Sequence, residues 1–200
     1  MSYTKPVIRE PYYDCPKWFD NDVHRSELLT LSGKCTSSEV ELFLIHLFGY
    51  NNINIDQSME DTFNELFAND SVAILGGVAF YESEEKFIMP SCCCGLEQFR
   101  EIYNSILNRE SPWLGHDPSP GLTYKDNVAI VWSDDPDSSD RSDVFHIDFE
   151  FEEILSCLEK SKYNLKDFID KPLFEWIYRR DRDTAKKMKD RMYEWFLYEL

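Results

Sequence analysis

The stretch SVAILGGVAFYES, residues 71–83, constrains the fold more than any other. On an extended chain Val72, Ile74, Val78 and Phe80 fall on one side, and Ala73, Leu75, Ala79 and Tyr81 on the other. A strand with two apolar faces belongs inside a sheet and needs cover on both. Gly76-Gly77 within it marks a bulge or a close backbone approach. A turn at ESEEK and the short apolar run FIMP predict a return strand ended by Pro90.

The cover is written before and after this strand with a different period. In TSSEVELFLIHLFGY, residues 36–50, Val40, Phe43, Leu44, Leu47 and Phe48 recur at helical spacing. Thr36 with Glu39 predicts a capping box, and Gly49 a stop. Ser58 and Asp61 open a second, shorter helix with Phe63, Leu66 and Phe67 inward. GLEQFREIYNSIL predicts a third, NVAIVW and VFHIDFEF two further strands, and the chain closes in helices over 151–160, 164–170 and from about Pro172 to the end.

The expectation is therefore an α+β fold, with a mostly antiparallel sheet of about four strands packed against several helices. It is read as one domain over 1–200. Residues 1–35 are expected as an irregular arm anchored by Tyr12, Tyr13, Trp18 and Phe19, and 172–200 as a C-terminal helix packed on the body.

Charge narrows the function. With 38 Asp and Glu against 21 Lys and Arg, the formal net charge is −17. That field repels nucleic-acid phosphates and anionic membrane surfaces, and favours encounter with a basic protein. The segment 179–191 runs against the trend, with seven Lys and Arg against three Asp. Its apolar stripe of Leu173, Ile177, Met188, Met192 and Trp195 predicts docking on the acidic body rather than on nucleic acid. MSYTKPVIREPYYDCPKWF holds no apolar leader pattern, which reads as a cytoplasmic location with reduced thiols.

Half of the six cysteines stand together in PSCCCGLEQF, residues 90–99. Packing is the simplest use of Cys92, Cys93 and Cys94, since small side chains suit a crowded junction. A nucleophile is the second: a cysteine at a helix N-terminus, with His146 as base and Asp148 to orient it, the two sharing one face of their strand. A metal site is the third. Neighbours on an extended chain point opposite ways, so Cys92 and Cys94 would share a face, with His116 or His146 added. A vicinal disulfide is strained and disfavoured in a reducing compartment.

The other unusual stretch is SPWLGHDPSP, residues 111–120, where three prolines and Gly115 stiffen a loop presenting Trp113, His116 and Asp117. Beyond it, the acidic loop DDPDSSDRSD offers Asp134, Asp135 and Asp137. That loop lacks the glycine and terminal glutamate of a calcium loop.

Together, PSCCCGLEQF and PWLGHDPSP resemble a family of uncharacterised bacterial proteins with a CCGLE turn before a helix and a PW-GHDP-P loop after it. The similarity covers roughly residues 72–132. Where that family tends to have Trp in GLE-W, this chain has Phe99. The resemblance implies a neighbour of the immunity or accessory proteins of bacterial toxin systems and carries over no activity.

The expected function is an acidic, non-enzymatic binding module for a basic partner, with no cofactor, centred on Trp113, His116, Asp117, Asp134, Asp135 and Asp137. The alternatives are a cysteine-dependent hydrolase or transferase and a metal-binding protein.

Overall fold

Every residue of the strand Gly76–Tyr81 is buried in the computed structural model, which describes residues 2–10, 12–19, 23–138 and 141–197. The strand belongs to a four-stranded antiparallel sheet formed by β1 (Tyr3–Arg9), β2 (Leu28–Thr30), β3 (Gly76–Tyr81) and β4 (Phe87–Ile88), in the order β2-β1-β3-β4. A second antiparallel sheet holds β5 (Gly121–Lys125), β6 (Val128–Trp132) and β7 (His146–Glu150) in sequence order. The fold is α+β. The four strands expected in one sheet are divided between two; the first sheet gains two strands and the second gains one, β5.

The first sheet gains two from the segment expected to be an irregular arm. β1 lies at its centre, paired with β2 on one side and β3 on the other. Pro6 and the charges Lys5 and Arg9 hide its strand character. The structure accommodates Pro6 because its carbonyl, accepting from Leu31 N at 2.9 Å, points to the β2 side. The missing N–H would point the same way, past the end of the β1–β2 pairing at Val7↔Thr30. The ladder to β3 loses nothing.

The helices are α1 (Ser37–Tyr50), α2 (Met59–Phe67), α3 (Phe99–Leu107), α4 (Phe151–Phe168), α5 (Phe174–Tyr178) and α6 (Arg182–Phe196). The capping box at Thr36 and Glu39 is present. α1 is buried on all sides from Val40 to Phe48, more than its apolar stripe implies. Its Glu41 survives there by accepting from Trp176 Nε1 at 3.1 Å, with Arg180 nearby at 3.9 Å.

α4 does not stop before Pro172. A π-helical segment, Ile169–Leu173, carries it into α5, with the proline inside the widened turn where a lost N–H disturbs the ladder least. The expected boundaries near 160, 164 and 172 are thus absent, and the chain turns only between α5 and α6.

Two large apolar clusters organise the interior. One gathers α1, α2, α5 and α6 around Phe43, Phe48, Phe63 and Trp176. The other packs Val78 and Phe80 of β3 against α3, α4 and the second sheet through Phe99, Ile102, Val131, Phe149 and Ile154. The opposite face of β3 is covered by its neighbours: Tyr3 stacks on Tyr81 at 5.1 Å, and Lys5 Nζ lies 4.5 Å from the Tyr81 ring. α6 docks on its own body as expected. Met188, Met192 and Trp195 are buried, Lys189 pairs with Asp170 at 2.8 Å, and Arg191 donates to the Phe67 carbonyl at 3.0 Å. Among the described residues no helix is long and apolar enough to cross a membrane.

Candidate functional site

β4 ends at Ile88, and beyond Pro90 the chain meets the rigid loop of 111–120 edge to edge. Ser91 N donates to the Leu114 carbonyl at 2.7 Å, and His116 N to the Cys92 carbonyl at 3.3 Å. Ser91 Oγ adds a bond to the His116 carbonyl at 2.7 Å. Leu114, 1% exposed, fastens the loop to the core beneath. This small bridge places residue 92 opposite residue 116. It depends on Gly115, whose φ is +99° and where a Cβ would lie 2.5 Å from the Cys92 carbonyl oxygen.

The three cysteines part company here. Cys93 adopts the left-handed conformation, φ 64°, which costs a non-glycine residue roughly 1–2 kcal/mol. The chain reverses its facing at that point. Cys92 and Cys93 are both exposed, while Cys94 is buried among Val78, Phe99 and Leu114. The expectation that Cys92 and Cys94 share a face assumed an extended chain, and the left-handed residue between them overturns it. Packing is the role of Cys94 alone.

Cys92 Sγ lies 3.2 Å from His116 Nδ1 and donates to the His116 carbonyl at 2.7 Å. The Cys92 and Cys93 sulfurs and a His116 ring nitrogen all lie within 4.8 Å of one another. Desolvation, then the neighbouring Cys92, pushes the Cys93 thiol up from its ordinary value. Burial, and then Glu97 and Glu101, push Cys94 up to about 12. Neither is an activated thiolate. The reason lies in the connection to α3: Gly95 and a 3₁₀ turn, Leu96–Gln98, intervene. The cysteines therefore do not sit on the helix N-terminus, and Glu97 and Glu101 of the first turns oppose an anion at Cys94.

His146 and Asp148 share the exposed face of β7, Nε2 to Oδ1 3.7 Å apart, as the alternation predicts. The ring that His146 meets is Trp132, at 4.8 Å. The imidazole brought to the cysteines is that of His116.

Trp113 is 53% exposed, its ring centroid 5.9 Å from that of His116. It stands out from the loop, whose anchor in the core is Leu114. Asp117 is exposed beside it. Asp134 accepts from Ser119 N at 2.8 Å and Asp135 N at 2.9 Å, and pairs with Arg141 at 3.0 Å. Those amides hold its carboxyl below the usual carboxylate range. Asp134 therefore ties the acidic loop to the 111–120 loop. Asp135 and Asp137 remain exposed, with Asp135 also accepting from Asp137 N at 3.0 Å. Ser91, Leu114 and the pairing of Cys93 with Cys92 carry no signal in the sequence beyond their place within the two motifs. Comparison of the chain with models of protein families, with curated proteins and with solved structures finds no match.

Proposed function

We propose that the protein is a non-enzymatic binding module for a basic protein, of the immunity-like kind that its two motifs imply. The observation that supports it is Trp113, a half-exposed indole on a loop held by the bridge to Ser91 and Cys92 and by Leu114 below. A large aromatic presented on a stiff support binds with little loss of side-chain freedom and is the commonest kind of interface anchor. Asp117 is exposed in the same loop, Asp135 and Asp137 are exposed on the acidic loop that Asp134 ties to it, and the net charge of −17 adds long-range attraction for a cationic surface.

The test is capture of partners from the source cell by the immobilised chain, followed by kinetics on the captured protein. The wild-type chain should retain a basic protein that Trp113→Ala binds about 30-fold or more weakly. Replacing Asp117, Asp135 and Asp137 by Asn should slow association about tenfold and leave dissociation nearly unchanged. Binding of equal strength by Trp113→Ala, or association indifferent to salt, would refute the reading.

A further inference from the structure

The pair Cys92 and Cys93 with His116 has a use that the partner surface does not require. We infer that these three side chains form a binding site for a single thiophilic divalent cation of the zinc type, held by two thiolates and one imidazole with a fourth position open. This goes beyond the binding-module reading and stands or falls separately from it.

The donor set selects the ion. Two sulfurs and a ring nitrogen suit Zn²⁺ and its neighbours, and they suit Mg²⁺ or Ca²⁺ poorly, since those ions require oxygen. The geometry is close to what the ion needs. In a tetrahedral zinc site neighbouring donors are roughly 3.5–3.8 Å apart, given bonds of about 2.3 Å to sulfur and about 2.0 Å to nitrogen. Cys92 Sγ and His116 Nδ1 stand at 3.2 Å, and all three donors lie within 4.8 Å of one another. Both thiols are exposed, so a small rotation about their side-chain bonds closes the set without repacking.

The backbone does the positioning. The left-handed turn at Cys93 brings two adjacent sulfurs to one side, which an extended chain cannot do. The bridge between residues 92 and 116, made possible by Gly115, supplies the imidazole from 24 positions away. The packing of the core does not call for this convergence of side chains: Cys94 and Leu114 fill the space beneath, while Cys92, Cys93 and His116 are all exposed.

Binding is a proton exchange. Cys92 and Cys93 each lose the thiol proton, two sulfur–metal bonds form, the His116 ring nitrogen donates its lone pair, and about two protons leave for solvent. The thiol bond from Cys92 to the His116 carbonyl gives way to the metal bond. Water, or a donor from another molecule, completes the tetrahedron.

Cobalt(II) serves as the probe. Titrated into the reduced full-length chain without oxygen, it should give a sulfur-to-cobalt charge-transfer band in the near ultraviolet and the strong visible bands of tetrahedral coordination, saturating at one equivalent. One equivalent of Zn²⁺ should bleach both, with release of about two protons in weak buffer. Cys92→Ser or Cys93→Ser should reduce the charge-transfer band by about half and weaken binding at least tenfold. His116→Ala should weaken binding by a similar factor while keeping the sulfur band. Cys15→Ser and Cys157→Ser should change neither. Cys92, Cys93 and His116 are exposed, so circular dichroism and thermal midpoints of their variants should match the wild type without metal. No charge-transfer band, a band unaffected by Cys93→Ser, affinity unaffected by His116→Ala, or uptake of zinc without proton release would each overturn the site. Loss of the partner-binding surface through Trp113→Ala should leave the cobalt spectrum in place.

Discussion

His46 shows how far a single buried group can set the behaviour of the chain. It sits within α1 at 1% exposure, Nε2 donating to the Leu75 carbonyl at 3.3 Å. Burial depresses its pKa to about 4, with the carbonyl contact working weakly against that. The unfolded chain takes up this proton near pH 6.5, and the folded one only near pH 4. Between those values the unfolded state binds more protons, so stability rises with pH and is lost as pH falls from about 6.5 towards 4, by up to about 3 kcal/mol. Urea midpoints measured from pH 7 to 4.5 should fall, and His46→Leu should flatten that dependence relative to the wild type. Parallel curves for the two proteins would show that His46 takes up its proton in the fold as readily as in the unfolded chain. His46 reads in the sequence as a polar interruption of an apolar run; its burial does not, because the helical stripe predicts only one inward face. The same limit applies at Cys93. Its residue type is visible, but its positive φ depends on what lies on either side of the turn.

Elements were legible where their period was clean and uncovered by function. α1 with its capping box, α2 with Ser58 and the alternating β7 stand where their residues put them, while the two-faced β3 begins only at Gly76, with Val72 and Ile74 lying before it in the other apolar cluster. β1 did not show, because Pro6 and two basic residues break the alternation of a strand that is nonetheless central. Its importance is testable. Thr4 shares a buried hydrogen bond of 2.7 Å with Ser161 of α4, and Val7 and Ile8 are fully buried. Deleting residues 2–9 should therefore remove the cooperative unfolding transition, not trim a tail. A truncated chain melting with the wild-type midpoint would contradict the position of β1. The run from α4 to α5 is the converse case: Pro172 signals a break in sequence, yet a π turn lets the helix pass it.

At the scale of the whole molecule, charge acts on stability and on binding with opposite signs. The net charge of −17 makes the folded state repel itself. Salt screens that repulsion, with a Debye length near 10 Å at about 0.1 M. The thermal midpoint should rise between 0.01 and about 0.3 M NaCl, while association with a basic partner slows over the same range. A midpoint that falls with salt would mean that attractive pairs such as Lys189–Asp170 outweigh the net repulsion. Composition and periodicity by themselves determined the α+β class, the acidic exterior, the docking of α6 and the two stretches worth watching, because local pattern and net charge do not depend on which segments meet. Only the tertiary structure decided that Cys92 and Cys93 face His116 while Cys94 turns inward. That outcome rests on a left-handed residue and on a backbone bridge between segments 24 positions apart, and neither has a periodic signature for a sequence to carry.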